Sequence, residues 1–270
     1  MPEFASLPLL IEPVDLLERL SMPMLTLVDL GSAERYQQLH ISNAINIVPK
    51  QIQSHSGLPG LLPDRTSLER LFASLGYQPD TTYVVYDDEG GGWAGRFIWI
   101  LDSIGHQKYH YLNGGLRAWM QEGYKLSNKL PDTELTTANL TIDPQPTATL
   151  SYLLERLGSN DLVIWDARSA AEFRGEKVLA ANAGHIPGAV NLEWTLAMDA
   201  TNGMRIKADI RECLKQLGIT KDKEIITYCQ SHHRSGFTYL IAKVLGYPRV
   251  KAYAGSWSEW GNTPHMPIED

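Results

Sequence analysis

The stretch Ile226-Thr-Tyr-Cys-Gln-Ser-His-His-Arg-Ser-Gly236 predicts a point where a strand ends and a helix begins. Before it, residues 224–228 form a run with β-branched side chains, as in a buried strand. After it, residues 235–247 carry apolar side chains at the spacing of one helix face. Repeated strand-to-helix passages indicate an α/β fold, whose ligands bind beyond the carboxyl ends of the strands. Cys229 lies at that position.

Cys229 is the candidate nucleophile of the chain. A thiol at this junction faces the unpaired N–H groups of a helix and the positive end of its dipole. Arg234 adds a full positive charge, and His232 and His233 can add partial ones. Such surroundings lower the pKa of a cysteine from ~8.5 to ~3.5–7.5, and the thiolate is the reactive form. The alternative, a buried structural cysteine, suits Cys213 better, because that residue lies on the apolar face of an amphipathic stretch.

The composition limits the class of protein. A chain of 270 residues is long enough for two domains, and its net charge of −7 gives no electrostatic reason to expect nucleic acid. Two cysteines do not suggest a disulfide framework, and a working thiolate suits a reducing compartment. The first ten residues do not resemble a signal peptide, and no apolar run approaches the ~18 residues of a membrane span. We expect a cytoplasmic protein with no membrane partner.

The same sequence pattern occurs twice along the chain. Matching segments follow one another in the same order, at offsets from 137 (Leu27 to Ile164) to 145 (His40 to His185). They predict two copies of one domain, at residues 1–127 and 150–270. Residues 128–149 contain prolines and no helical periodicity, and we assign them to a linker.

Each copy alternates short apolar runs with helical patterns, which predicts a mainly parallel sheet flanked by helices. In the second copy the predicted strands are 162–166, 189–191, 224–228 and 250–253. The predicted helices there are 151–158, 170–174, 209–217 and 235–245.

The two copies differ at the position of the candidate nucleophile. Where the second has Cys229, the first reads Asp87-Asp-Glu-Gly-Gly-Gly-Trp93. A carboxylate cannot act as a thiolate, and Asp88 and Glu89 would repel an anion. We expect the first copy to be catalytically silent and to supply an interface that can line the site. Asp87 as a nucleophile in its own right is the alternative.

These segments together resemble the rhodanese family of sulfurtransferases, in the two-domain bacterial form that has an inactive first copy and an active second one. Asp166-Ala-Arg-Ser169 with Gly184-His-Ile-Pro-Gly-Ala-Val-Asn191 resembles the first signature of the family. Tyr253-Ala-Gly-Ser-Trp-Ser-Glu-Trp260 resembles its terminal signature. The loop Cys229-Gln-Ser-His-His-Arg234 is similar to that of bacterial thiosulfate sulfurtransferases of this tandem type. The resemblance covers essentially the whole chain and implies two tandem rhodanese-like domains.

The resemblance implies sulfur transfer through a covalent intermediate. The Cys229 thiolate would take the outer sulfur of thiosulfate as a persulfide, release sulfite, and pass the sulfur to cyanide or a thiol. No cofactor or metal would be needed. Backbone N–H groups from Gln230 through Ser231 to Ser235 would hold the transferred sulfur, as an oxyanion hole holds an oxygen.

Other side chains have predicted roles near Cys229. Arg234 is expected to bind the sulfonate end of thiosulfate, or alternatively to cap the loop by donating to carbonyls. His232 and His233 are expected to donate to substrate or tune the thiolate, with a solvated surface position as the alternative. Trp194 is a candidate pocket wall, and Asp166 is expected to bond loop backbone.

The sequence departs from the family in the charges that bind substrate. The vertebrate-type enzyme has a lysine where this chain has Ser231, and an arginine where it has Glu172. Arg234 would have to replace both. The loop also lacks the Cys-Gly-Ser-Gly-Val pattern of 3-mercaptopyruvate sulfurtransferases, so thiosulfate is favoured and mercaptopyruvate is the alternative donor.

The sequence leaves three alternative functions open for the loop that carries Cys229. A cysteine-dependent phosphatase or arsenate reductase also joins Cys and Arg in one loop, but with five residues between them, and here there are four. A zinc site could use Cys229, His232 and His233. A sulfur carrier would keep Cys229 but stop after binding one sulfur per chain.

Overall fold

A computed structural model of the protein describes residues 7–270. The amino-terminal segment in which no signal peptide is predicted therefore lies mostly outside the described residues. The first copy contains a five-stranded parallel sheet in the order β1-β5-β4-β2-β3. Its strands are β1 (Leu10–Ile11), β2 (Leu25–Asp29), β3 (Ala44–Asn46), β4 (Thr82–Tyr86) and β5 (Tyr109–Leu112). Its helices are α1 (Pro13–Leu17), α2 (Ala33–Gln38), α3 (Arg65–Ser74), α4 (Gly92–Ser103) and α5 (Gly115–Gln121).

The second copy contains a four-stranded parallel sheet in the order β11-β10-β6-β7. Its strands, including a separate two-stranded hairpin, are β6 (Leu162–Asp166), β7 (Ala189–Asn191), β8 (Met198–Asp199), β9 (Arg205–Ile206), β10 (Glu224–Tyr228) and β11 (Val250–Ala252). Its helices are α6 (Leu150–Arg156), α7 (Ala170–Phe173), α8 (Ile210–Gln216), α9 (Arg234–Val244) and α10 (Ser256–Trp260). The order β11-β10-β6-β7 repeats the order β5-β4-β2-β3.

The predicted α/β class with two parallel sheets is confirmed. The bounds predicted for β6, β7 and β10 agree with the structure, and helices α6 to α9 begin and end within two residues of the predicted bounds. The domain boundaries stay predictions; residues 128–146 contain no helix or strand within the described chain. No helix formed by residues 7–270 has the length and apolar character that a membrane crossing requires.

The hairpin β8–β9 was not predicted, and it fastens the second copy to the first. The Arg205 guanidinium donates to Glu12 Oε2 at 2.8 Å and to Glu122 Oε1 at 2.7 Å. The N–H of Ile206 donates to Asn113 Oδ1 at 2.9 Å. Two residues per strand are too few to produce a periodic signal in the sequence.

Helices α4 and α9, at equivalent positions in the two copies, pack directly against each other. A Cβ atom built on Gly95 would lie 2.2 Å from the Gly236 carbonyl oxygen, and one built on Gly236 would lie 2.6 Å from the Arg96 nitrogen. Only glycine permits so close an approach of two helix backbones. Buried side chains of both helices, among them Phe97 and Phe237, belong to one apolar core. The crossing brings the loops before α4 and α9 together.

Candidate active site

Cys229 follows the fully buried strand β10 and is fixed by the residues that begin α10. Its N–H donates to Ser256 Oγ at 3.3 Å, and its carbonyl accepts from the N–H of Trp257 at 2.9 Å. Ser256 has a φ of 55°, a left-handed conformation that non-glycine residues rarely adopt. Cys229 is only 1 % exposed. The thiol is therefore held rigidly and away from bulk water.

The surroundings of Cys229 favour the thiolate. Burial by itself raises the pKa of Cys229, but the charge of Arg234, the Ser235 hydroxyl and the backbone N–H groups of Ser235 and Ser231 outweigh it and lower the pKa below its usual value. The Ser235 hydroxyl donates to Cys229 Sγ at 3.4 Å. Two of the predicted N–H donors of the loop thus point at the sulfur, which is the arrangement that stabilises an anion.

His232 lies beneath the loop and not at the surface. Its ring is 0 % exposed and meets the Trp99 ring edge to face at 4.6 Å. The Ser235 hydroxyl gives its proton to Cys229 Sγ, so His232 Nδ1, 2.9 Å from Ser235 Oγ, must be the donor of that bond. Burial, Arg96 and His233 depress the pKa of His232 well below its usual value. The solvated position considered for His232 is wrong. The ring reaches the Cys229 sulfur through Ser235, and its direct donation to a substrate stays a prediction.

His233 contacts the first copy. Its Nε2 pairs with Glu89 Oε1, and its ring stacks on Trp93 with centroids 4.1 Å apart. Trp194, the predicted pocket wall, meets the same ring edge to face at 5.4 Å. The His233 side chain remains 22 % exposed while it contacts a carboxylate and two indoles, so it lies at the edge of the contact between the copies and is not buried as His232 is. Trp194 and Trp93 together line the side of the loop that faces the first copy.

Arg234 is paired with the residue that replaces a family arginine. Its Nη1 and Nη2 donate to Glu172 Oε2 and Oε1 at 2.7 and 2.8 Å. Burial alone would raise the pKa of Glu172, but bonds from Arg234 and Ser169 lower it to about 2. The carboxylate raises the pKa of Arg234 in turn, against the opposing effect of burial. Both terminal nitrogens of Arg234 therefore bind a carboxylate, a partner that neither the predicted sulfonate contact nor the alternative of capping loop carbonyls included.

The remaining predicted residues support the loop from different sides. Gln230 Nε2 donates to the Leu179 carbonyl at 3.1 Å. Asp166 does bond loop backbone, but in the loop after β6: its Oδ1 accepts the N–H of Arg168 at 2.8 Å, and its Oδ2 accepts Arg168 Nη2 at 2.7 Å. Asp166 therefore orders the neighbouring loop and has no direct bond to the loop that carries Cys229.

The described residues do not provide the ligand set of the zinc alternative. The rings of His232 and His233 turn to different partners, Ser235 and Glu89. Within residues 7–270, no group of three or more His, Cys, Asp or Glu side chains is arranged to hold a metal ion.

The equivalent loop of the first copy is filled by its own side chain. Asp87 Oδ1 accepts N–H bonds from Glu89, Gly90 and Gly91 at 3.2, 3.1 and 2.8 Å, and Oδ2 accepts the Ala94 N–H at 3.0 Å. Burial, with a contribution from Glu89, raises the pKa of Asp87 to about 6 against these bonds. A carboxylate thus occupies the place that a bound anion would take.

The sequence did not identify three residues that hold the loop of Cys229. Ser256 and Glu89 bond Cys229 and His233, as described above. Arg96 donates to the His232 carbonyl at 3.2 Å. A sequence pattern could have identified Arg96. It is the one charged residue in the run Trp93-Ala-Gly-Arg-Phe-Ile-Trp-Ile-Leu101, and a lone charge in an apolar run indicates a buried charge with a specific partner.

Comparison with known proteins gives a consistent result. The family described as Rhodanese-like domain matches the chain twice, at residues 12–122 and 149–263. Thiosulfate sulfurtransferases of Azotobacter vinelandii and Pseudomonas aeruginosa are 62% and 59% identical to the chain, each over 270 residues and 100% of both sequences. An anaerobic ergothioneine biosynthesis enzyme from Chlorobium limicola, solved with trimethyl histidine, shares the fold with a TM-score of 0.84 at 23% identity. That match covers 97% of this chain and 70% of the solved one.

Proposed function

The chain belongs to the rhodanese family, and we propose that it is a thiosulfate sulfurtransferase that carries sulfur as a persulfide on Cys229. The full-length identity to two thiosulfate sulfurtransferases supports the activity. The predicted family and enzyme class are confirmed. The observation that carries the assignment of the nucleophile is geometric: Cys229 follows strand β10 at the start of the loop, and its sulfur accepts the Ser235 hydroxyl at 3.4 Å. These contacts and the charge of Arg234 lower the pKa of Cys229.

In the first half-reaction, the Cys229 thiolate attacks the outer sulfur of thiosulfate. A new S–S bond forms as the S–S bond of thiosulfate breaks, and the electron pair leaves with sulfite. The product is a persulfide, Cys–S–S⁻, which carries the charge that the thiolate carried before. The backbone N–H groups of the loop can donate to the negatively charged outer sulfur of the persulfide, so no reorganisation of the site is required.

In the second half-reaction, a nucleophile removes the outer sulfur. Cyanide attacks it to give thiocyanate, or a thiol attacks it to give a new persulfide, and the Cys229 thiolate leaves. Electrons balance within each half-reaction, so the cycle calls for no cofactor or metal. The lowered pKa of Cys229 assists this step too, because a more stable thiolate is a better leaving group.

The substrate-binding role of Arg234 has to accommodate Glu172. A guanidinium has five N–H donors, and Glu172 takes one from each terminal nitrogen. The others can bind the sulfonate of thiosulfate while the carboxylate keeps the fork oriented. The negative charge of Glu172 weakens the attraction of Arg234 for a dianion. We therefore propose that the site binds thiosulfate weakly and releases sulfite readily.

The cellular setting is proposed on chemical grounds. Both cysteines are free thiols in the structure, and a working thiolate favours a reducing compartment such as the cytoplasm. The net charge of −7 gives no basis for a nucleic-acid partner. The acceptor in the cell is proposed to be a thiol.

Intact-protein mass after incubation with thiosulfate alone tests the function. The wild-type chain and Cys213→Ser should each gain one sulfur atom, which cyanide then removes, and Cys229→Ser should gain none. Absence of any gain on the wild type, together with hydrolysis of an aryl phosphate, would assign the site to the phosphatase class instead.

A further inference from the structure

Arg96 is a cation that helix α4 of the first copy buries completely. It is 0 % exposed, and all five of its N–H groups are used by main-chain carbonyls. The acceptor oxygens, with their distances, belong to Ile52 (2.9 Å), Gly60 (2.7 Å), His232 (3.2 Å), Pro59 (3.2 Å) and Leu61 (2.9 Å). None of these partners is a carboxylate. The positive charge of Arg96 is therefore solvated by peptide dipoles and not neutralised.

A buried charge without a counter-ion is costly, so its retention calls for an explanation. Burial lowers the pKa of Arg96 to about 9, and the one charge that opposes this effect is Cys229. The attraction is mutual, since whatever the thiolate does for the guanidinium the guanidinium does for the thiolate. The guanidinium also contacts a buried aromatic face, since Arg96 Cζ lies 5.4 Å from the centroid of the Trp99 ring.

The carbonyls that bind Arg96 come from both copies. Four belong to residues 52–61 of the first copy, and the fifth belongs to His232 in the loop of Cys229. The same first-copy segment touches that loop directly: a Cβ atom built on Gly60 would lie 3.0 Å from the Ser231 carbonyl carbon and 2.2 Å from the Ala254 carbonyl oxygen. Arg96 thus joins the covering segment to the loop that it covers.

We propose that Arg96 is a positioning residue for the nucleophile: by donating to the His232 carbonyl it holds the loop of Cys229 against the first copy and brings a buried positive charge to that loop. The catalytically silent copy then contributes electrostatics to the reaction and not only an interface. The inference rests on the proposed role of Cys229 as a thiolate nucleophile. The proposed role of Arg96 differs from a purely structural one in one respect: it predicts that Arg96 affects the ionisation of the Cys229 thiol.

The test measures the ionisation of Cys229 without any sulfur donor. In a Cys213→Ser background, Cys229 is the only thiol of the chain. The rate of its alkylation by iodoacetamide is followed from pH 5 to 10, and circular dichroism and thermal unfolding report whether each variant is folded. Arg96→Gln should shift the apparent pKa of Cys229 upward by about one unit, the size of effect that a nearby charge has on a partly desolvated group.

Arg96→Lys keeps the charge but has three donors for five carbonyls, so it should shift the pKa less and still raise the KM for thiosulfate roughly tenfold. Arg19→Gln is the matched control. Arg19 is also a buried arginine of the first copy, but among residues 7–270 its side chain bonds only the Asp15 carbonyl and Glu18, at the end of α1. Its replacement should leave the alkylation profile unchanged.

A folded Arg96→Gln protein with the wild-type alkylation profile would overturn the proposal. If Arg96→Gln does not fold, Arg96→Lys decides: wild-type profile and wild-type KM in the folded protein would make Arg96 a structural residue only. Failure of the proposed function itself would appear elsewhere, as a wild-type chain that gains no sulfur from thiosulfate.

Discussion

The loops Asp87–Trp93 and Cys229–Ser235 occupy the same place in two copies of one fold, yet only the second begins with a side chain that we propose as a nucleophile. Each follows a central strand of its parallel sheet and precedes one of the two helices that cross at Gly95 and Gly236. Each directs backbone N–H groups at the first side chain of the loop. The cradle for an anion is therefore a property of the fold, and a single side chain decides whether the cradle is occupied or available.

The charges around the two loops differ as much as the nucleophile does. In the first, Asp88 pairs with Arg35 at 3.3 Å and Glu89 with His233. In the second, the thiolate has Arg234 beside it, and Arg96 reaches the loop from the first copy. An arginine from each copy thus contacts or lies beside the loop of Cys229, while the acidic residues of the first loop pair with Arg35 and His233.

Moving the cysteine from one loop to the other gives the largest expected effect. In a chain carrying both Cys229→Ser and Asp87→Cys, thiocyanate formation should fall by roughly 10³-fold or more and not recover. The transplanted thiol would have the N–H cradle but would face Asp88 and Glu89, which repel a dianion. Sulfur found at position 87 by mass mapping after thiosulfate treatment would show that the cradle alone suffices.

Removing the cation of the second loop should have an intermediate effect. Arg234→Ala is best made together with Glu172→Gln, because a lone buried carboxylate would destabilise the protein. The double variant should raise the KM for thiosulfate ~10-fold and raise the pKa of Cys229, since Arg234 is the main charge that lowers it.

Glu172→Gln alone is the matched control for this charge, and steady-state kinetics with alkylation profiles separate the two variants. With Arg234 released from its carboxylate, the control should bind thiosulfate at least as well as the wild type. A KM for thiosulfate that rises equally in the double variant and in Glu172→Gln would mean that the Arg234–Glu172 ion pair only stabilises the structure of the loop.

The smallest effect on sulfur transfer is expected from Asp87→Asn, which should change the pH dependence of stability instead. Because the folded pKa of Asp87 is raised from 3.8 to about 6, the carboxyl stabilises the fold fully below pH ~4 and loses that contribution as the pH rises through 6. The free energy of unfolding of the wild type, relative to Asp87→Asn, should therefore fall by ~2 kcal/mol between pH 4 and 7.

Urea unfolding of both proteins across this pH range measures the difference, and sulfur transfer at pH 8 should stay within about twofold. A difference that grows with pH would mean that the N–H bonds outweigh burial at Asp87. The cradle would then favour a carboxylate as strongly as the second loop favours a thiolate.

Local features of the site could be predicted from sequence, and contacts between the copies could not. The β-branched run before Cys229 predicted strand β10 correctly, and all five residues of that strand are buried. The contrast between Cys229 and Cys213 followed from the polarity of the adjacent residues. Both inferences use neighbours within a few positions in the chain.

The partners of Arg234, His233 and Arg96 are 62, 144 and 136 residues away, at Glu172, Glu89 and His232. The pairings of His233 and Arg96 exist only once α4 and α9 have docked, and the pairing of Arg234 joins two segments of the second copy that are far apart in sequence, so no local pattern encodes any of them. The solvated alternative for His232 was wrong for this reason: the ring was considered within one copy, and Trp99 of the first copy packs against it. The lone charge in the apolar run of α4 was the one local clue to an interface.

The glycine crossing of α4 and α9 also bears on the order of events during synthesis. The first copy leaves the ribosome before the second, so α4 can be folded and waiting when α9 is made. We expect the thiol to acquire its full reactivity only when the two helices dock, because Arg96 and Glu89 reach the loop of Cys229 across that contact. A nascent chain would then carry a comparatively inert cysteine, protected from oxidants until the enzyme is complete.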